Sequence, residues 1–310
     1  MSPVPISHRT PTTRTRFVVH RFFRLAVVSV FVAAATVADT AATARNFIWK
    51  VSGKESAIYL VGSIHMLTKD YYPLNPALDA AFKESDLLVE EADLGEMLGS
   101  DAQLSVLMRG RLPSDQSLDK VISPGTFEQV AKHVSAHGLP MELMKQFKPW
   151  MLALMIETFE WQKAGFDPGL GLDKHFYDRA QTDGKKVQGL ETADYQISLF
   201  DGMSAEQQDR LLADTLKGID TEMTNVSKLT DAWKSGDAPT VERIVLADLK
   251  QDPIMYQRLL VDRNQAWMPK LEKLFVRGGR AFVVVGAAHL VGPDGLLTLL
   301  KSKGYSVEQL

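Results

Sequence analysis

The chain has 310 residues, a formal net charge of −3, 45% hydrophobic and 24% charged residues, and no cysteine. Those are ordinary globular proportions, so disordered, collagenous and coiled-coil classes are excluded. Without cysteine there is no disulfide scaffold, thiolate metal site or cysteine nucleophile. A mildly acidic chain also lacks the basic footprint of a nucleic-acid binder, so no nucleic-acid partner is expected.

Residues 1–44 read as a signal peptide. Arg9, Arg14, Arg16, Arg21 and Arg24 precede an uncharged apolar run from Leu25 to Ala38, and small residues end in Ala42-Thr43-Ala44. This is the order of a secretory signal. The apolar run is shorter than the roughly 20 residues a membrane span needs. A retained N-terminal anchor is the alternative; otherwise no stable span remains after cleavage. The expectation is an exported protein, periplasmic or extracellular, whose residues 45–310 form a single domain.

In chain order, Phe47–Val51 and Ala57–Val61 read as strands around a Ser52-Gly53-Lys54 turn. The second runs into Gly62-Ser63-Ile64-His65. Pro76–Lys83 reads as a helix. The strand Ser85–Val89 leads into Glu90-Glu91, and pleat alternation puts Glu91 on the face of Leu87 and Val89, with Glu90 opposite. A large helical section of about 95–255 follows. Its helices are expected at 125–137, 148–163, 173–182, 204–216, 221–234 and 239–249, interrupted by a strand over 185–189 that leads into Glu191. A long helix over 253–275 follows. Then the apolar strand Ala281–Val285 runs into Gly286-Ala287-Ala288-His289.

The two ends therefore carry the same unit, an apolar strand followed by Gly-x-x-His. It aligns without a gap from Ala57 with Ala281 to His65 with His289. Apolar strands of this length belong to a sheet buried on both faces. A glycine there allows a sharp exit, and open α/β folds place their sites beyond the carboxyl ends of strands. The fold class expected is α/β of the mixed α+β kind: a central mixed sheet flanked by helices, with two strand–Gly-x-x-His half-repeats and the helical section between them.

The stripe Tyr256, Leu260, Arg263, Trp267, Leu271 and Leu274 repeats at helical spacing, with Asn264 on the adjoining stripe. A buried charge is costly unless paired, so Arg263 needs a carboxylate or a substrate oxygen.

Gly62-Ser-Ile-His65, Leu88-Val-Glu-Glu-Ala-Asp93, Gly171-Leu-Asp173, Gly189-Leu-Glu-Thr192, Asp262-Arg-Asn264 and Gly286-Ala-Ala-His-Leu-Val-Gly292 together resemble the TraB/GumN family. The Tiki metalloproteases belong to its wider superfamily. The resemblance spans about residue 46 to Leu310 and includes a terminal helix and strand. It implies a mixed sheet with both Gly-x-x-His motifs meeting in one site, and a metal-dependent peptidase activity in the Tiki branch.

Two imidazoles and a carboxylate suit Mn, Fe, Co or Zn with room for water. The expected ligands of this divalent metal ion are His65, Glu91 and His289, with Glu90 the rival of Glu91. Glu191 is the expected general base and Arg263 the oxyanion donor. His65 and His289 are catalytic through the metal. Asp173 and Asn264 are expected to orient ligands, with Gly62 and Gly286 shaping the turns. The function expected is an exported metal-dependent hydrolase, a peptidase acting on peptides or proteins through a metal-activated water. Two other readings share these residues. One is a metal-free, esterase-like hydrolase using a histidine and a carboxylate, as in the related erythromycin-esterase-like proteins. The other is a non-catalytic protein that sequesters peptide signals.

Overall fold

The computed structural model describes residues 46–310, so the signal-peptide reading of residues 1–44 lies outside the described residues. Six strands form one sheet: β1 (Ile48–Ser52), β2 (Ala57–Ser63), β3 (Leu87–Ala92), β4 (Lys186–Glu191), β5 (Ala281–Gly286) and β6 (Ser306–Gln309). Their order across the sheet is β4-β3-β5-β2-β1-β6. The four strands β4, β3, β5 and β2 are parallel, while β1 pairs antiparallel with both β2 and β6. This is the mixed sheet flanked by helices that the sequence implies.

The apolar strands take the middle. Every residue of β3 and β5 is buried, and all of β2 except Ala57. Each fully buried Val or Leu there contributes roughly 1.5–3 kcal/mol. The outer strands β4 and β6 alternate exposed and covered positions and carry polar residues, which suits edges that must not recruit another chain. Phe282 of β5 meets Phe82 and Phe176 at ring separations of 5.3 and 4.5 Å, seating the helices Pro76–Glu84 and Leu172–Thr182.

The two half-repeats are neighbours. Because β2 and β5 run parallel and side by side, both histidines leave the same edge of the sheet. The pairing is staggered by one residue from the sequence alignment: Gly62 lies opposite Val285, and Ser63 opposite Gly286.

The helical section differs from expectation in detail. The segments 204–216 and 221–234 are one helix, Ala205–Lys234, opened by a capping box at Ser204 and Gln207. Gly218 costs such a helix only about 1 kcal/mol, which the buried stripe outweighs. Helices at Leu94–Leu98, Ser100–Gly110 and Ala193–Asp201 are additional to those expected. This section has a second apolar cluster of its own, including Leu118, Val130, Val134, Leu152, Ile156 and Leu212. Among the described residues no helix is long and apolar enough to cross a membrane.

Candidate functional site at the sheet edge

The site is assembled where β2, β3, β4 and β5 end. His65 follows β2 on a loop held by the first turn of helix Leu172–Thr182. Leu172 N–H donates to the Ile64 carbonyl at 3.2 Å. A Cβ on Gly171 would lie 2.1 Å from the His65 carbonyl oxygen, so this position admits only glycine. Asp173 then accepts from Ser63 Oγ at 2.9 Å and binds His65 Nδ1 at 2.9 Å. The Gly171-Leu-Asp173 motif is thus one device, a close approach followed by a carboxylate that fixes the imidazole. The His65 side chain is 65% exposed. Its Nε2 has no hydrogen-bond partner among the described residues. The Asp173 carboxylate pushes the imidazole up to about 9.

His289, at the end of the other half-repeat, is buried. Its Nδ1 lies 2.7 Å from Asn264 Oδ1. The Asn264 amide is oriented by donating to the carbonyls of His289 and Asp294, at 3.3 and 2.8 Å. On the other side, Arg263 Nη1 lies 3.0 Å from His289 Nε2. Guanidinium only donates, so Nε2 is the acceptor, Nδ1 carries the proton, and the ring is neutral. Burial pushes this imidazole down to about 3, and the Arg263 charge acts in the same direction.

Arg263 is where the sequence expectation of a carboxylate partner is met twice. Its Nη2 donates to Glu91 and, at 2.7 Å, to Glu191 Oε1. Its Nε donates to Glu191 at 3.1 Å, and Nη1 also reaches the Leu259 carbonyl at 3.2 Å. All five N–H groups are committed. The guanidinium also lies 4.7 Å over the Trp267 ring, whose Nε1 donates to Glu191 Oε2 at 2.9 Å. A π-helical turn at Gln257–Val261 precedes Arg263 in this helix; such turns frequently sit at functional sites.

Glu91 is equally engaged. Oε1 accepts from Gly286 N–H at 2.6 Å, and Oε2 from Gln196 at 3.1 Å as well as from Arg263. Burial alone would raise this carboxyl, but the charges of Arg263 and of protonated His65, with the Gly286 N–H, hold it well below the usual carboxylate range. Glu90, on the opposite face as pleat alternation requires, is also buried. Its Oε2 accepts from Leu94 N–H at 3.1 Å, its Oε1 has no partner, and burial pushes it up to about 8.

The two motif glycines serve as space rather than as turns, since neither adopts a positive φ. A Cβ on Gly286 would lie 3.2 Å from Glu91 Oε1, 3.5 Å from His65 Nε2 and 3.7 Å from His289 Cδ2. His65, Glu91 and His289 therefore surround one point, with Arg263 and Glu191 beyond it. A Cβ on Gly62 would instead strike the Phe47 ring at 2.4 Å. Gln196, Ser63 and Trp267 belong to the site without having been singled out as functional. Ser63 lies inside the Gly-x-x-His motif and Trp267 on the Arg263 stripe, whereas nothing in the sequence marks Gln196.

Among the described residues, the one group of three or more potential ligands with donor atoms all within 4.8 Å of one another is His133, His137 and Glu160. It lies in the helical section, not at the sheet edge, and could hold a metal ion.

Comparison with known proteins agrees with the motifs. The family model described as TraB/PrgY/gumN matches residues 47–309. Over 244 residues the chain is 29% identical to the uncharacterized protein YbaP of Escherichia coli K12, covering 78% of this chain and 87% of that one. YbaP of Shigella flexneri matches to the same extent. No solved structure matches. On its sequence motifs and on a match spanning nearly all the described residues, the chain belongs to the TraB/PrgY/gumN family.

Proposed function

We propose that this protein is an exported metal-dependent hydrolase that cleaves peptides or proteins at the sheet edge. The observation that carries the proposal is the convergence of His65 Nε2, Glu91 Oε1 and His289 around Gly286, each histidine anchored through Nδ1. An imidazole held at Nδ1 by a carboxylate or amide and turned inward at Nε2 is the usual posture of a metal-ligating histidine. The donor set fits a divalent Mn, Fe, Co or Zn ion in identity, with His289 Nε2 free to join it once Arg263 Nη1 has moved off. His65, Glu91 and His289 would hold it. When bound, such an ion lowers the pKa of its water and polarises a carbonyl.

The chain's own residues do the positioning. Asp173 fixes the His65 ring, and Asn264 fixes the His289 tautomer. Arg263 keeps Glu91 ionised and is itself held by Glu191 and Trp267. Glu191 acts as a base only if it exchanges its Arg263 and Trp267 hydrogen bonds for water. Arg263 likewise must release one of five committed N–H groups to meet an oxyanion. A metal ion at His289 Nε2 and the Arg263 Nη1 hydrogen bond exclude one another.

That exclusion favours a second reading, a metal-free hydrolase. In it His65, oriented by Asp173, takes a proton from water through its unpaired Nε2.

The test is turnover of a peptide library by purified protein, with and without chelator. Wild type is expected to cleave, and to lose activity on chelation and in His65→Ala and His289→Ala. Chelator-resistant cleavage that still needs His65 would establish the second reading. Binding without turnover under every metal supplied would replace both with a peptide-sequestering role.

A further inference from the structure

We infer that the helical section carries a separate zinc site formed by His133, His137 and Glu160, independent of the sheet-edge reading. His133 and His137 are one turn apart on helix Pro124–Ala136 and its C-cap, so their rings share a face. The ring centroids are 4.5 Å apart. Glu160 faces them from helix Pro149–Lys163. Its Oε1 lies 2.9 Å from His137 Nε2 and 3.5 Å from His133 Nε2. Metal–ligand bonds of about 2.0 Å in tetrahedral zinc set adjacent donors roughly 3.3 Å apart, so these separations bracket the requirement.

The second observation is that the donors are unsatisfied. Glu160 is 6% exposed, yet its Oε1 makes no hydrogen bond, and neither does His133 Nε2. Two buried polar atoms facing each other without a hydrogen bond cost free energy; a shared cation satisfies both. The other Glu160 oxygen, Oε2, is taken by Lys163 Nζ at 3.2 Å, which leaves Oε1 as a one-oxygen donor. Phe159 packs on the His137 ring at 5.3 Å and forms an apolar wall. Two imidazoles and one carboxylate oxygen, with no sulfur, match the N/O donor class of zinc. The His137 side chain is 19% exposed, which leaves the fourth position to water. The ion would pin the end of helix Pro124–Ala136 to the last turn of helix Pro149–Lys163.

The experiment is a Zn²⁺ titration against a chromophoric chelator, in protein carrying His65→Ala so that the sheet edge is impaired. One equivalent should bind and raise Tm. Glu160→Gln and His137→Ala should each weaken that binding at least tenfold, since loss of even an outer-shell partner typically costs about 10–100-fold. Co²⁺ in place of Zn²⁺ should give the visible absorption of a low-coordinate site, absent in both variants. Circular dichroism of the metal-free variants confirms folding, and Glu160→Gln, nearly isosteric, serves if His137→Ala unfolds. Unchanged affinity in both variants, or zinc binding with no rise in Tm, would overturn the site. Neither outcome bears on peptide turnover at the sheet edge.

Discussion

The two half-repeats begin as the same sequence and end as opposites. Both are apolar parallel strands followed by Gly-x-x-His, and both histidines arrive at one edge of the sheet. Yet His65 is exposed and raised by Asp173, while His289 is buried, neutral and lowered. The difference comes from what the rest of the chain brings. The first turn of one helix supplies a carboxylate to His65 Nδ1. The last long helix supplies an amide to His289 Nδ1 and a guanidinium to Nε2. A strand repeat fixes where a side chain emerges; its protonation is set by elements far away in sequence. Even the glycines differ, Gly62 making room for Phe47 and Gly286 for Glu91, His65 and His289.

The largest expected effect comes from removing the group that sets the second half apart. Arg263→Ala leaves Glu91 and Glu191 buried without their shared cation. Breaking a buried pair from one side costs about 3–5 kcal/mol, and urea denaturation should show a loss of that size. Stability within about 1 kcal/mol of wild type would mean that water already shares the network.

The two glycines offer a sharper contrast. Gly62→Ala forces a methyl into the buried Phe47 ring and should cost about 1–3 kcal/mol, as overpacking does. Gly286→Ala meets only side-chain atoms at 3.2 Å and beyond. It should melt closer to wild type while losing turnover and metal binding at the edge. Equal melting temperatures for the two would show that the motif glycines play one role.

Asp173→Asn should have the smallest effect, confined by pH. A histidine whose folded pKa is raised contributes stability below its unfolded value, near 6.5, and loses it as pH rises through the folded value, about 9. Because His65 is largely exposed, the effect is screened. Melting should fall modestly in the variant at pH 6 and converge with wild type by pH 10. A deficit that persists unchanged at pH 10 would assign Asp173 a purely structural role through Ser63.

Much of this architecture was legible in the sequence. The apolar runs 57–61 and 281–285 and the post-strand histidines mark buried strands and a site at their ends. Alternation separates Glu91 from Glu90, and the helical stripe places Arg263 inside. Three things were not legible. The strand stagger depends on pairing, not on pattern. Gln196 carries no local signal and reaches Glu91 only through the fold. The commitment of all five Arg263 N–H groups is a property of four converging elements. The His133/His137/Glu160 cluster was half visible, as two histidines four residues apart, but the glutamate facing them is supplied by tertiary packing.

The asymmetry between the two half-repeats is tested most directly by histidine titration. In metal-stripped protein, ¹⁵N-resolved imidazole resonances would be assigned with His65→Gln and His289→Gln and followed from pH 5 to pH 10. The account predicts that His65 titrates well above its ordinary 6.5. It predicts that His289 stays neutral throughout, protonated at Nδ1. Two imidazoles titrating together near 6.5 would contradict it.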